Sequence, residues 1–151
     1  MHPYAFHAVV AAATLLLQRH SKDLNVQTAC SKMLQIHRAI AIRLINEEIA
    51  RLWGSVPSDD LILAIISVAS EPTAPGLTPL DECQLSKSPL ATAQNIHYYS
   101  TQFVDPEYIP AFFRVVALKG GLSGIETPAL ATLAELYVAF ASYKLPRQAP
   151  C

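Results

Sequence analysis

The residues equipped for chemistry are few and scattered. Five histidines are present: His2, His7, His20, His37 and His97. No two of them stand in the H-x3-H spacing that aims two imidazoles of one helix at one ion. His37 falls on the apolar stripe of a long helix, where a histidine satisfied within the core is the simpler reading. Glu47 and Glu48 are adjacent carboxylates, but neighbours on a helix point about 100° apart. A solvated face accounts for them better than a shared acid–base site. Gly120-Gly121-Leu122-Ser123-Gly124 is the most suggestive short string. As a nucleophile elbow it needs glycine where Ile125 stands and a strand before it; as a phosphate loop it needs the missing GK[ST]. It reads as a turn between helices.

Cys30, Cys83 and Cys151 are odd in number, widely spaced and without a CxxC, which speaks against both a disulfide scaffold and a structural zinc. A reducing compartment suits them, and Cys30 lies where a small core residue is wanted. His97, Tyr98, Tyr99, Phe103 and Tyr108 form an aromatic cluster better suited to a core or a partner surface than to a ligand pocket. The residues thus assign no catalytic, cofactor-binding or metal-binding set, and the chain does not read as an enzyme.

Composition narrows the class further. Of 151 residues, 52% are hydrophobic and only 15% charged, against about 25% charged in an ordinary chain. Either a partner covers much of the surface or the chain belongs to something larger. The net charge is −1 with no lysine/arginine block, so the basic footprint of a nucleic-acid binder is missing. Residues 8–17, AVVAAATLLL, have the apolarity of a signal-peptide core. No cation precedes them and Gln18-Arg19-His20 follows, so a buried helix is the better reading. No apolar run reaches the roughly 20 residues that span a bilayer.

One all-α domain over 1–151 follows: an irregular array of about six helices around a buried apolar helix at 61–70. Residues 4–20 carry Phe6, Val9, Val10, Ala13, Leu16 and Leu17 at helical spacing, which predicts the core face of a first helix. Residues 26–53 step Val26, Cys30, Met33, His37, Ile40, Leu44, Ile45, Ile49, Leu52 and Trp53 along one face. Glu47 and Arg51 stand in the favourable i,i+4 order for an ion pair. Gly54 offers a left-handed cap, and Pro57 blocks continuation. Ser58-Asp59-Asp60 supplies a cap and acidic first turn for the next helix, apolar almost all round and therefore buried.

Residues 71–88, rich in proline, serine and threonine, read as a mobile loop. Residues 89–100 follow Ser88-Pro89 as a helix. Residues 108–119 form another, ended by Gly120-Gly121. Thr127-Pro128 then starts a last helix over 128–144, where Lys144 suits the C-terminal dipole. No strand is convincing.

Two stretches, IHRAIAIRLINEEIARLWGSVPSDDLILAIISVASE and FFRVVALKGGL, resemble the regulatory domain of fungal zinc-cluster transcription factors. The first matches on His37, Ala41, Ile45-Asn46, Ser58-Asp59 and Glu71. The second matches on Val116, Leu118, Lys119, Gly120, Gly121 and Leu122, followed by Glu135 and by Pro146-Arg147. The resemblance covers about three quarters of the chain in order. It implies a helical domain that regulates activation or mediates contacts with itself or other regulatory proteins. It also implies a nuclear location, or a cytoplasmic one for a stand-alone chain. The six-cysteine cluster is missing, Tyr108 replaces a frequent histidine, and Gln148 replaces a terminal aromatic. Direct DNA reading is therefore not expected. A general helical interaction subunit and a small-molecule-sensing helical domain are the other readings.

Overall fold

A computed structural model describes residues 1–52, 54–72 and 102–144. Five α-helices dominate: α1 (Pro3–His20), α2 (Leu24–Arg51), α3 (Asp59–Ala69), α4 (Ile109–Leu118) and α5 (Pro128–Lys144). The chain is all-α in class, and each of these helices falls within two residues of its sequence expectation. The helix expected over 89–100 lies outside the described residues, as does most of the loop expected over 71–88. One feature departs from the expectation of no strand. β1 (Ser70–Pro72) pairs antiparallel with β2 (Gln102–Val104), Glu71 opposite Phe103, so Glu71 and Pro72 belong to a ladder rather than a loop. The N–H of Asp105 donates to the Ala69 carbonyl at 3.0 Å, which ties the end of α3 to the turn Pro106–Tyr108 that leads into α4.

The helix boundaries have local causes. Asp23 caps α2 by accepting the N–H of Asn25 at 2.8 Å. Gly54, past the end of α2, takes the positive φ of 76° that glycine adopts without strain. Proline occupies the first turn of α1 and of α4, where its missing N–H has no bond to lose.

α3 is the hub. Leu61, Ile62, Ala64, Ile65, Ile66, Val68 and Ala69 are all buried, with α1, α2, α4 and α5 packed around them. Burying each large aliphatic side chain contributes about 1.5–3 kcal/mol. Phe112 of α4 fills the far side of the core, its ring 4.5 Å from that of Tyr137 on α5. Burial raises the Tyr137 phenol above its ordinary pKa, and the Asp105 carboxylate adds to the shift.

α1 presents the opposite face from the one its periodicity predicts. Its core residues are Tyr4, Ala5, Ala8, Ala11 and Leu15, and the three alanines let α1 lie close to α3. Phe6, Val9, Leu16 and Leu17 face outward instead. α2 is corrected in part: Cys30, Ala41 and Ile45 are buried, whereas Met33 is exposed and His37 half-buried. Glu47 pairs with Arg43 at 2.9 Å, not with Arg51. Both partners are exposed, so the pair is worth only about 0.3–0.5 kcal/mol.

These faces make a direct test. Ile65→Ala is expected to cost about 2–5 kcal/mol in urea unfolding, and Ile65→Asp to abolish the cooperative transition. Leu17→Ser on the outer face of α1 should stay within about 0.5 kcal/mol of the parent.

Candidate functional site

Ser58, Asp59 and Asp60 open α3; Ser58 and Asp60 fasten the start of α1, and Asp59 fastens α4 and α5. Ser58 Oγ accepts the N–H of Leu61 at 3.3 Å, closing the first turn, and shares a 2.9 Å hydrogen bond with the Tyr4 hydroxyl. Burial raises the Tyr4 phenol, against the lowering effect of that bond. Asp60 Oδ2 accepts the N–H of His2 at 2.7 Å. The start of α1 is thereby held against the start of α3.

Asp59 reaches the other way. Its Oδ1 lies 2.8 Å from the Lys119 ammonium. Its Oδ2 accepts the N–H of Thr127 at 2.8 Å and that of Glu126 at 3.1 Å. Thr127 stands at the N-terminus of α5, where its carbonyl accepts the first helical bond from Ala131. One carboxylate thus serves the first turn of α3 and the N-terminus of α5, both places where aligned peptide dipoles favour negative charge. Lys119 is 6% exposed and Asp59 17%, so the pair is largely desolvated. Burial pushes the Asp59 carboxyl up, but the bonds to Lys119 and Thr127 and the ammonium charge outweigh it and hold its pKa below the ordinary carboxylate value.

The turn that delivers Lys119 is built by glycines. Gly121 N–H bonds the Val116 carbonyl at 2.9 Å and Gly120 N–H the Ala117 carbonyl at 3.1 Å, the paired bonds of a Schellman motif. Gly120 and Gly121 both have positive φ, 92° and 87°. Gly124 is required sterically: a Cβ there would stand 2.0 Å from the Lys119 carbonyl oxygen. The string Gly120–Gly124 is the helix–helix turn its sequence suggests, folded tightly enough to aim Lys119 inward.

The structure therefore brings together Asp59, Lys119, Gly120 and Gly121, which lie about sixty residues apart in the chain. The remaining motif residues lie elsewhere. His37 on α2 faces His7 on α1, with Nδ1 atoms 2.9 Å apart. Asn46 is exposed and lines an open groove of about 500 Å³ with Ile49, Leu52, Arg114 and Leu118. Glu71 lies in β1, and Glu135 is exposed on α5. Pro146 and Arg147 lie outside the described residues, as do His97, Tyr98 and Tyr99. Sequence reasoning missed Tyr4 and the pairing of His7 with His37, contacts that join residues 54 and 30 positions apart. No local spacing signals such pairs.

At the junction Asp59 Oδ1 faces the Lys119 ammonium, Asp59 Oδ2 accepts two backbone N–H groups, and Glu126 lies 3.8 Å from the same ammonium. Among the described residues no group of three or more His, Cys, Asp or Glu side chains converges, and no helix is long and apolar enough to cross a membrane. Comparison with family profiles, curated proteins and solved structures finds no match in any of the three.

Lys119→Met removes the counter-charge from a partly covered carboxylate that keeps its two backbone N–H donors, and is expected to cost about 1–3 kcal/mol in urea unfolding at neutral pH. The double variant Asp59→Asn/Lys119→Met should recover part of that loss. The sign of the pH dependence follows from the lowered pKa. The stabilisation is fully present above the unfolded carboxylate value of about 3.9 and is lost as pH falls through the lower folded value. The stability gap between the parent and Asp59→Asn should therefore narrow on acidification below about pH 4, measured by urea midpoints across pH.

Proposed function

We propose that this chain is a regulatory, protein-interaction domain of the fungal zinc-cluster transcription-factor type. It acts through protein partners and not by reading DNA, and works in the nucleus with the factors it serves. The observation that carries the reading is the uncovered apolar face of α1 and α2. Phe6, Val9, Ala13 and Leu16 repeat on α1 with the three–four spacing of a helix-packing seam, and Leu17 adjoins them. Ala29, Met33 and Ile36 repeat likewise on α2. Phe6 is 45% exposed, Leu17 55% and Ile36 58%. Beside Ile36, His37 of α2 lies edge-on to the Phe6 ring of α1, 6.4 Å between centroids. A monomer's surface scatters such side chains singly, whereas a contiguous set marks an interaction surface. The low overall charge is the same fact seen in composition.

Support for the family type comes from the junction. The two motifs that carry the resemblance, Ser58-Asp59 and Lys119-Gly120-Gly121, are joined by the Asp59–Lys119 pair. A shared contact explains why both would stand in one chain.

The test is capture of partners from fungal nuclear extract by the full chain and by Phe6→Asp/Leu17→Asp. The expected result is recovery of transcription-regulatory proteins by the parent and loss of that recovery in the variant, whose thermal unfolding stays near the parent's. Partners wholly outside transcription would point instead to a general helical interaction subunit. Tight sequence-specific binding of DNA by this chain alone in a gel-shift titration would overturn the proposal.

A further inference from the structure

We infer that His7 and His37 form a two-nitrogen cradle for a divalent copper or nickel ion, clamping α1 to α2. The inference is independent of the proposed function. His7 and His37 lie on neighbouring helices, both half-buried, with Nδ1 atoms 2.9 Å apart and ring centroids 4.9 Å apart. Phe6 packs its ring edge-on to both, at 5.4 Å from His7 and 6.4 Å from His37, so a hydrocarbon wall shields one side of the pair.

Two ring nitrogens this close need something between them. In the metal-free chain it is a proton: one ring carries hydrogen on Nδ1 and donates to the other, which accepts. A metal ion bridges the two nitrogens from beside the line that joins them when that hydrogen moves to Nε2 of its own ring. Both histidines then present a lone pair at Nδ1, and no net proton is lost.

Distance selects the metal. Imidazole nitrogen binds first-row ions at about 2.0–2.1 Å. Two such bonds spanning 2.9 Å enclose an angle of about 90° at the ion. That is the cis angle of square-planar or octahedral coordination, which Cu²⁺ and Ni²⁺ prefer; tetrahedral zinc would have to push the two nitrogens to about 3.3 Å. Water completes the remaining positions, since among the described residues no third His, Cys, Asp or Glu joins the pair.

The test is titration of the full chain with CuCl₂, NiCl₂ and ZnCl₂ by calorimetry at pH 7, with electron paramagnetic resonance of the copper form. The expected result is about one ion per chain, copper tightest and nickel ahead of zinc. The copper spectrum should show coupling to two ring nitrogens, a signature read on the parent chain without any variant. His7→Gln and His37→Gln should each abolish binding while keeping the parent's circular dichroism, whereas His2→Gln and His20→Gln keep it. Copper should also raise the thermal midpoint of the parent and not that of His7→Gln. Copper retained by both His7→Gln and His37→Gln, zinc bound ahead of copper and nickel, or no binding by the parent would each overturn the inference.

Discussion

A carboxylate mostly covered at the start of α3 needs a counter-charge, and Lys119 supplies it from the end of α4. The rest of the arrangement answers to that pairing. Replacing such a pair with matched apolar groups is often neutral or stabilising, so the pair is not a source of net stability by itself. Its effect lies in the asymmetry. Any packing of α4 that misplaces Lys119 leaves one or two desolvated charges unpaired, which costs several kcal/mol. Asp59 extends the constraint to α5 through the N–H groups of Glu126 and Thr127. One side chain thus sets the relative placement of three helices.

The other members of the triplet extend the constraint to α1. Ser58 holds Tyr4 and Asp60 holds the backbone of His2, so the helix whose core face is mostly alanine is pinned by hydrogen bonds at its first turn. Ala5, Ala8 and Ala11 offer little area individually. Their contribution is closeness, because a helix lined by alanine can bring its backbone near the large side chains of α3 and gain dispersion contact along its length. The bulky residues of α1 are thereby left on the outside.

Local signals were legible and tertiary ones were not. Thr127-Pro128, Ser58, Gly54 and the double glycine marked helix ends because capping depends on residues within a turn of each other. The burial of α3 was legible because a helix apolar on every side has no other place to go. α1 was misread for the same kind of reason inverted: between His7 and Gln18 its one polar residue is Thr14, so periodicity could not choose between the bulky stripe and the alanine stripe. The ladder of Ser70–Pro72 with Gln102–Val104 was invisible because three-residue strands carry no period. Of the site, the two motifs could be seen, but not that they touch. A lysine before a double glycine reads equally well as a cation stabilising its own helix C-terminus, and only the packing of α4 on α3 turns it inward.

The junction and the outer face occupy different elements. The junction binds the ends of α3, α4 and α5, whereas the exposed stripes lie on the outer sides of α1 and α2. The Asp59–Lys119 pair is coupled to folding, since its charges are desolvated only when the helices are packed. The outer face is not: Phe6, Leu17 and Ile36 already stand in solvent, so changing them removes little that folding has gained. An apolar surface that contributes little to the stability of the isolated chain, yet keeps helix-packing spacing on both helices, gains its free energy only when something is laid against it. That separation is what the proposed interaction surface on α1 and α2 requires: a face that can change without unfolding the core.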